Sequence, residues 1–209
     1  MIRILIADDH PIVRRGLIEI LQGRFQGSVF EEASDGEEVI KKVLTRNYHL
    51  VICDLSMPGK NGIEVIEQVK LFDQKLPVLI LSLHPEEKFA LRALKAGAAG
   101  YINKEARTDE LVNAISHVLK GRKYISTLMA EKFAETLQAD KNKEPHELLS
   151  NREFHVFKLL AEGKSLSEIA NRLSLNITTI STFRSRVLKK LNLKTNADLT
   201  IYALENKFI

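Results

Sequence analysis

Three carboxylates, a hydroxyl and an ammonium stand in this 209-residue chain where they could handle a phosphoryl group together. Asp8 and Asp9 follow the apolar run Ile2–Ala7, and Asp54 follows Leu50–Cys53. Ser82 follows Val78–Leu81, and Lys104 comes just after Gly100–Ile102. Clustered carboxylates repel, and a hard divalent cation such as Mg2+ relieves that repulsion through oxygen ligands. A carboxylate can attack phosphorus to form an acyl phosphate. A metal and a lysine would then neutralise the group in transit. The phosphoryl brings about −1.5 to −2 charges and three acceptor oxygens, to one of which Ser82 could donate. Singly, each residue has a plainer reading. Asp8 or Asp9 would cap the helix that starts near Pro11, Ser82 would lie in a turn, and Lys104 would be surface lysine. Their joint placement at four strand ends argues for chemistry.

The apolar runs Ile2–Ala7, Val29–Ala33, Leu50–Cys53, Val78–Leu81 and Gly100–Ile102 have the length and Ile/Val/Leu content of buried strands. Between them lie helical patterns at Ile12–Leu21, Glu37–Leu44, Ile63–Leu71, Glu86–Ala96 and Asp109–Leu119. Asp35 and Glu38 have capping-box spacing. Five strands alternating with five helices predict a doubly wound α/β domain with a five-stranded parallel sheet, over residues 1–121. In such sheets ligands bind beyond the carboxyl ends of the strands, where the five residues fall.

Residues 122–147 read as a linker, with a short helix possible over Ser126–Leu137 and a polar stretch ending at Pro145. Residues 148–209 are helical only, a small all-α bundle of four helices. Ser150/Glu153 and Ser165/Glu168 have S-x-x-E spacing, and Thr195/Asp198 is a weaker version. The net charge of +4 divides as +1 over residues 1–123, −1 over 124–144 and +4 over 145–209, so the excess suits a polyanion-binding tail.

Within that tail, Ser165–Leu173 is a short amphipathic helix. Ser174–Asn176 makes a tight connection, and Asn176 is placed to cap the helix Ile177–Leu191. Two short helices and a brief turn are the helix-turn-helix pattern, whose second helix enters the DNA major groove. At 100° per residue, Ile180, Phe183, Val187 and Leu191 face inward. Thr178, Ser181, Thr182, Ser185 and Lys189 cluster opposite, beside Thr179. Arg184, Arg186 and Lys190 flank this face, placed for phosphates. A helical hairpin that binds protein would look similar.

Other features bound the answer. No apolar run reaches the roughly 18 residues of a membrane span, and the start MIRILIADDH is unlike a secretory signal. Cys53 is the only cysteine, so no intrachain disulfide forms, and it reads as a small core residue. The expected location is cytoplasmic, without a membrane partner. His10 reads as a helix-start residue and His84 as structural or regulatory.

The segments ADDHPIVRRGL, VICDLSMPGKNG, LILSLH and GYINKEA resemble a response-regulator receiver domain, a flavodoxin-like fold, over about residues 2–120. The resemblance implies Asp54 as phospho-acceptor, and Asp8 and Asp9 as the acidic pair for Mg2+ with Asp9 the direct ligand. It also implies the Ser56 carbonyl as a further ligand, Ser82 as switch hydroxyl, Lys104 as phosphate-binding lysine and Tyr101 as the switch aromatic. From the residues alone, Tyr101 reads equally as plain core. Asn103 departs from the apolar or hydroxyl residue usual there. The stretch from Leu148 to Leu199 resembles the LuxR-type helix-turn-helix, and together the two resemble the NarL/FixJ class of response regulator.

That class implies a sensor histidine kinase as phosphoryl donor, double-stranded DNA as target and a homodimer on DNA. It implies no enzyme activity beyond self-phosphotransfer and slow autodephosphorylation. Glu153 would brace the second domain, and Ser181, Thr182 and Ser185 would approach bases, where relatives often carry lysine. Leu199, Tyr202 and Ala203 would form a dimer face, with packing inside their own domain as the alternative. Two rivals stand beside this reading. One is a Mg2+-dependent phosphohydrolase using Asp54, which leaves the basic tail unexplained. The other is a DNA-binding protein whose first domain only dimerises.

Overall fold

The computed structural model describes residues 1–127, 129–131 and 144–209. The chain separates into two compact units, Met1–Glu135 and Thr136–Ile209.

The first unit runs β1 (Arg3–Ala7), α1 (Pro11–Gln22), β2 (Val29–Ala33), α2 (Gly36–Thr45), β3 (Leu50–Cys53), α3 (Gly62–Phe72), β4 (Val78–Ser82), α4 (Glu86–Ala96), β5 (Gly100–Asn103) and α5 (Thr108–Leu119). All strand pairs are parallel, in the order β2-β1-β3-β4-β5. This is the doubly wound sheet that the alternating pattern predicts. β1, β3 and β4 are buried almost throughout, as strands covered on both faces must be. Side-chain alternation gives one face to Ile4, Ile6, Leu50, Ile52, Leu79, Leu81 and Ile102, packed with Leu17 and Leu21 of α1 and Leu111, Ala114, Ile115 and Val118 of α5. Beyond α5, Tyr124 bridges to Gly100, so the chain after residue 121 still runs along β5. The short helix expected within 126–137 falls largely outside the described residues.

Register converts these strands into a site. Ala7 pairs with Cys53, so Asp8 and Asp54 emerge side by side from β1 and β3. Ser82 pairs with Asn103, and the Lys104 N–H donates to the Ser82 carbonyl at 2.9 Å. α3 is held close behind Asp54 by its first residue. A Cβ on Gly62 would lie 2.5 Å from the Asp54 carbonyl oxygen and 2.9 Å from Leu55 Cα.

The second unit contains a 3-10 turn (Pro145–Leu148), α6 (Asn151–Ala161), α7 (Leu166–Leu173), α8 (Ile177–Leu191) and α9 (Asn196–Glu205). Ser150/Glu153, Ser165/Glu168 and Thr195/Asp198 all form capping boxes. Ser174 and Asn192 close α7 and α8 in the left-handed conformation. Asn176 occupies the N-cap of α8, but its side chain makes no cap hydrogen bond, contrary to the sequence expectation. The core joins Phe154, Phe157, Ile169, Leu173, Ile180, Val187, Leu191 and Phe208 with Leu199 and Ala203. Leu199 and Ala203 are fully buried there, and Tyr202 OH lies 3.0 Å from His146 Nδ1. The expected dimer face is therefore corrected: two of its three residues are interior to their own bundle and have no surface to offer.

The close approach at Gly62 has a measurable consequence. Gly62→Ala should destabilise the first unit by about 2 kcal/mol through overpacking against backbone. Gly16→Ala, in α1 with nothing within 4 Å of the new Cβ, should be neutral or stabilising. Urea unfolding of both variants checks this; equal effects would refute it.

Candidate functional site

At the carboxyl edge of the sheet, Lys104 Nζ lies 2.6 Å from Asp8 Oδ2 and 3.1 Å from Asp54 Oδ2. Asp8 is 1% exposed and Asp54 6% exposed, so two carboxylates are largely withdrawn from water around one ammonium. Burial raises the Asp54 pKa, Lys104 offsets part of that rise, and the Asp8 charge adds to it. Burial alone would lower Lys104, but its hydrogen bond to Asp8 and the two carboxylate charges outweigh that and raise it. The Leu55 N–H donates to Asp54 Oδ1 at 2.7 Å, which fixes the carboxylate plane.

Asp9 completes the acidic set. Its Oδ1 is buried without a hydrogen-bond partner. His10 Nδ1 lies 2.8 Å away but outside hydrogen-bonding geometry, and its side chain is mostly exposed. Ligand atoms of Asp8, Asp9 and His10 lie within 4.8 Å of one another. A buried carboxylate oxygen that makes no hydrogen bond, clustered with Asp8 and His10, fits a hard cation, which takes oxygen ligands. The Asp8 backbone is held by Arg14, whose Nη1 donates to the Asp8 carbonyl at 2.7 Å while its Nε donates to Glu32. Sequence reasoning passed over Arg14. An arginine on the first turn of the helix after the acids was the available signal.

Ser82 and Tyr101 lie beside this cluster, both 1% exposed. Ser82 Oγ accepts from the His84 N–H at 3.2 Å, and Tyr101 OH donates to the His84 carbonyl at 2.9 Å. The His84 ring stacks on Phe89 and places Nε2 2.8 Å from Ser56 Oγ. His84 thus ties the loop after β3 to the loop after β4 and to β5. The sequence singled it out only as structural or regulatory. Cys53 is fully buried in β3. Asn61 caps α3 through a capping box with Glu64, which fixes the end of the loop that carries Ser56.

In the second unit, Thr178, Ser181, Thr182, Ser185, Arg186, Lys189 and Lys190 of α8 are exposed, with Thr179 and Arg184 half-buried. Thr182 Oγ1 donates to the Thr178 carbonyl and Ser185 Oγ to the Ser181 carbonyl, each at 3.0 Å. Arg184 Nε donates to Asn196 Oδ1 at 2.7 Å. Lys190 Nζ lies 2.6 Å from the buried Glu153 carboxylate and donates to the Leu148 carbonyl at 3.1 Å. Arg184 and Lys190 therefore serve the bundle itself, whereas Arg186 and Lys189 extend from it. Burial would raise Glu153, but its hydrogen bonds from Lys190 and Ser150 prevail and hold it below the usual range.

Residues 4–116 match the family model described as response regulator receiver domain. Residues 147–203 match that of bacterial regulatory proteins, luxR family. The chain is a response regulator of the NarL/FixJ class. It is 33% identical over 207 residues to response regulator UvrY of Escherichia coli strain K12, covering 99% of this chain and 95% of that protein. It is 33% identical to oxygen regulatory protein NreC of Staphylococcus carnosus, covering 99% of each. The solved structure of RcsB from Salmonella enterica serovar Typhimurium, bound to promoter rprA in the presence of phosphomimetic BeF3-, matches with a TM-score of 0.71. That match has 27% identity and covers 96% of this chain and 97% of that one. As a NarL/FixJ-class regulator, the protein joins a receiver domain to a LuxR-type DNA-binding domain and acts in transcription regulation. Among its described residues no helix is long and apolar enough to cross a membrane.

Because burial raises the Asp54 pKa above 3.8, the folded state holds a proton that the unfolded chain has already released. Stability therefore falls as pH rises through that window, and the penalty is complete once folded Asp54 ionises. Asp54→Asn should stabilise the first unit by about 1 kcal/mol at pH 7, since Lys104 keeps Asp8. The gain should shrink toward pH 4; chemical denaturation at the two pH values reads it, and a loss at pH 7 would show that the Lys104 pairing dominates. Lys190→Ala should destabilise the second unit by about 1 kcal/mol, because it strands a buried carboxylate. An unchanged melting curve would assign Lys190 to the surface instead.

Proposed function

We propose that this response regulator is switched by Mg2+-dependent phosphorylation of Asp54 by a sensor histidine kinase, and that the switch controls binding of a homodimer to double-stranded DNA. The observation that carries the reading is the Lys104 ammonium set against Asp8 and Asp54, with Asp9 next to Asp8 keeping a buried oxygen that makes no hydrogen bond.

In the transfer step an Asp54 carboxylate oxygen forms the O–P bond as the N–P bond of a phosphohistidine breaks, and the imidazole leaves. Asp9, Asp54 and the Ser56 backbone carbonyl, with Asp8 alongside, would hold Mg2+, which supplies neutralisation of the phosphoryl oxygens. Lys104 neutralises another oxygen, and its four-carbon stem lets it follow the group as Asp54 loses its charge. Ser82, whose Oγ only accepts from the His84 N–H, turns its proton toward a phosphoryl oxygen. That movement draws on the loop through His84 and is felt by Tyr101, which is bonded to the same residue. The surface around α4 and β5 changes as a result and favours pairing of two copies.

On DNA, α8 lies in the major groove. Thr178, Thr179, Ser181, Thr182 and Ser185 approach base edges, and Arg186 and Lys189 contact phosphates. Two half-sites one helical turn apart match the two copies.

Intact-protein mass spectrometry after incubation with acetyl phosphate tests the switch. One phosphoryl group should be gained in the presence of Mg2+, none after chelation and none in Asp54→Asn. Labelling of the Asp54→Asn protein to the wild-type level would refute Asp54 as acceptor. Absence of labelling under every condition would favour a receiver that works without phosphate.

A further inference from the structure

The DNA-facing half of α8 lacks every side chain that reads a base pair with two hydrogen bonds. Arginine or lysine does this to guanine and asparagine or glutamine to adenine. The first two turns, from Ile177 to Phe183, contain none of the four. They present instead an isoleucine 52% exposed at the first helical position, followed by exposed Thr178, Ser181 and Thr182.

An exposed isoleucine is unremarkable by itself, but this one stands one turn before Ser181 on the same side of the helix. The Thr182 hydroxyl proton is already committed to the Thr178 carbonyl. Without breaking that bond, Thr182 has only its methyl group and its oxygen lone pairs to offer. The Ser185 proton is likewise committed, to Ser181. At Thr182 and Ser185 the face is therefore apolar and accepting, flanked by the cations Arg186 and Lys189. One feature of the major groove is complementary to an exposed alkyl group: the 5-methyl of thymine.

We infer that Ile177 and Thr182 are specificity-determining residues that recognise thymine 5-methyl groups in the major groove, so that the preferred half-site is thymine-bearing at the positions they meet. The inference rests on the proposed docking of α8 in DNA. It distinguishes the two residues from Arg186 and Lys189, whose phosphate contacts carry no sequence information.

The test uses the full chain with Mg2+ and acetyl phosphate. Binding sites are selected from a random-sequence duplex library, and each thymine of the selected half-site is then replaced by deoxyuridine, which removes only the methyl. At least two replacements should weaken binding by about fourfold each, the value of one methyl withdrawn from apolar contact. In Ile177→Ala one of these penalties should vanish, and in Thr182→Ser the other, while sensitivity to the remaining position persists. Both variants change exposed side chains and should unfold at the wild-type temperature. Sequence-selective binding that is indifferent to every replacement would overturn the inference and leave the DNA-binding reading standing. Penalties that survive unchanged in both variants would also overturn it. Failure to enrich any duplex would overturn the docking of α8, and the inference with it.

Discussion

The receiver depends on one ammonium placed against two buried carboxylates. Asp8 and Asp54 leave adjacent strands at the same level, and like charges at that separation and burial would force a proton onto one of them. Lys104 removes that requirement, at 2.6 Å from the first and 3.1 Å from the second. Its origin matters as much as its charge. β5 is separated from β3 by β4, and β3 lies between β4 and β1, so the ammonium meets carboxylates from strands two and three places away, with strands about 4.8 Å apart. The four-carbon stem covers part of that span and leaves a compact charge at its end. Ser82 closes the strand that the lysine crosses, which brings a hydroxyl into the same small volume without further design.

Around that pairing the chain fixes two loops rigidly and leaves one buried oxygen without a hydrogen bond. Gly62 lets α3 press against the Asp54 backbone, and Asn61 caps that helix. Arg14 grips the Asp8 carbonyl. These contacts fix the direction of the carboxylates before any ligand arrives, so little reorganisation is needed when charge moves onto Asp54. Asp9 Oδ1, buried and without a hydrogen bond although His10 Nδ1 lies 2.8 Å away, is the exception. A polar atom left in that state costs free energy in the folded protein, and a ligand that satisfies it recovers that cost on binding.

The sheet, its strand ends and the acidic set were legible in the sequence because each depends on local period and order. Val29–Ala33 and Leu50–Cys53 match their observed strands residue for residue, and α4 matches its predicted span. The capping boxes were legible for the same reason, since their partners are three residues apart. Contacts between distant residues leave no such trace. His84 meets Ser56 across 28 residues and Lys190 meets Glu153 across 37, and neither spacing carries a signal. Leu199 and Ala203 show the complementary failure. An apolar stripe on a helix announces that it will be covered, but not whether the cover is its own bundle or another chain. The bundle had already claimed it.

The absence of amide and cationic readers from the first turns of α8 bears on how a phosphorylation switch could control DNA binding. Phosphate contacts give affinity without selectivity and weaken as salt rises. Alkyl and hydroxyl contacts at base edges discriminate more weakly than the bidentate pairs they replace, which are worth about 1–3 kcal/mol each. One copy of such a helix would thus bind many sequences with similar, modest strength. Joining two copies makes the second contact effectively intramolecular and adds the discrimination of the two half-sites. A weakly selective recognition helix makes occupancy depend steeply on pairing. In the proposed mechanism the charge added at Asp54 then need not alter α8 at all: changing the probability that two copies meet is sufficient.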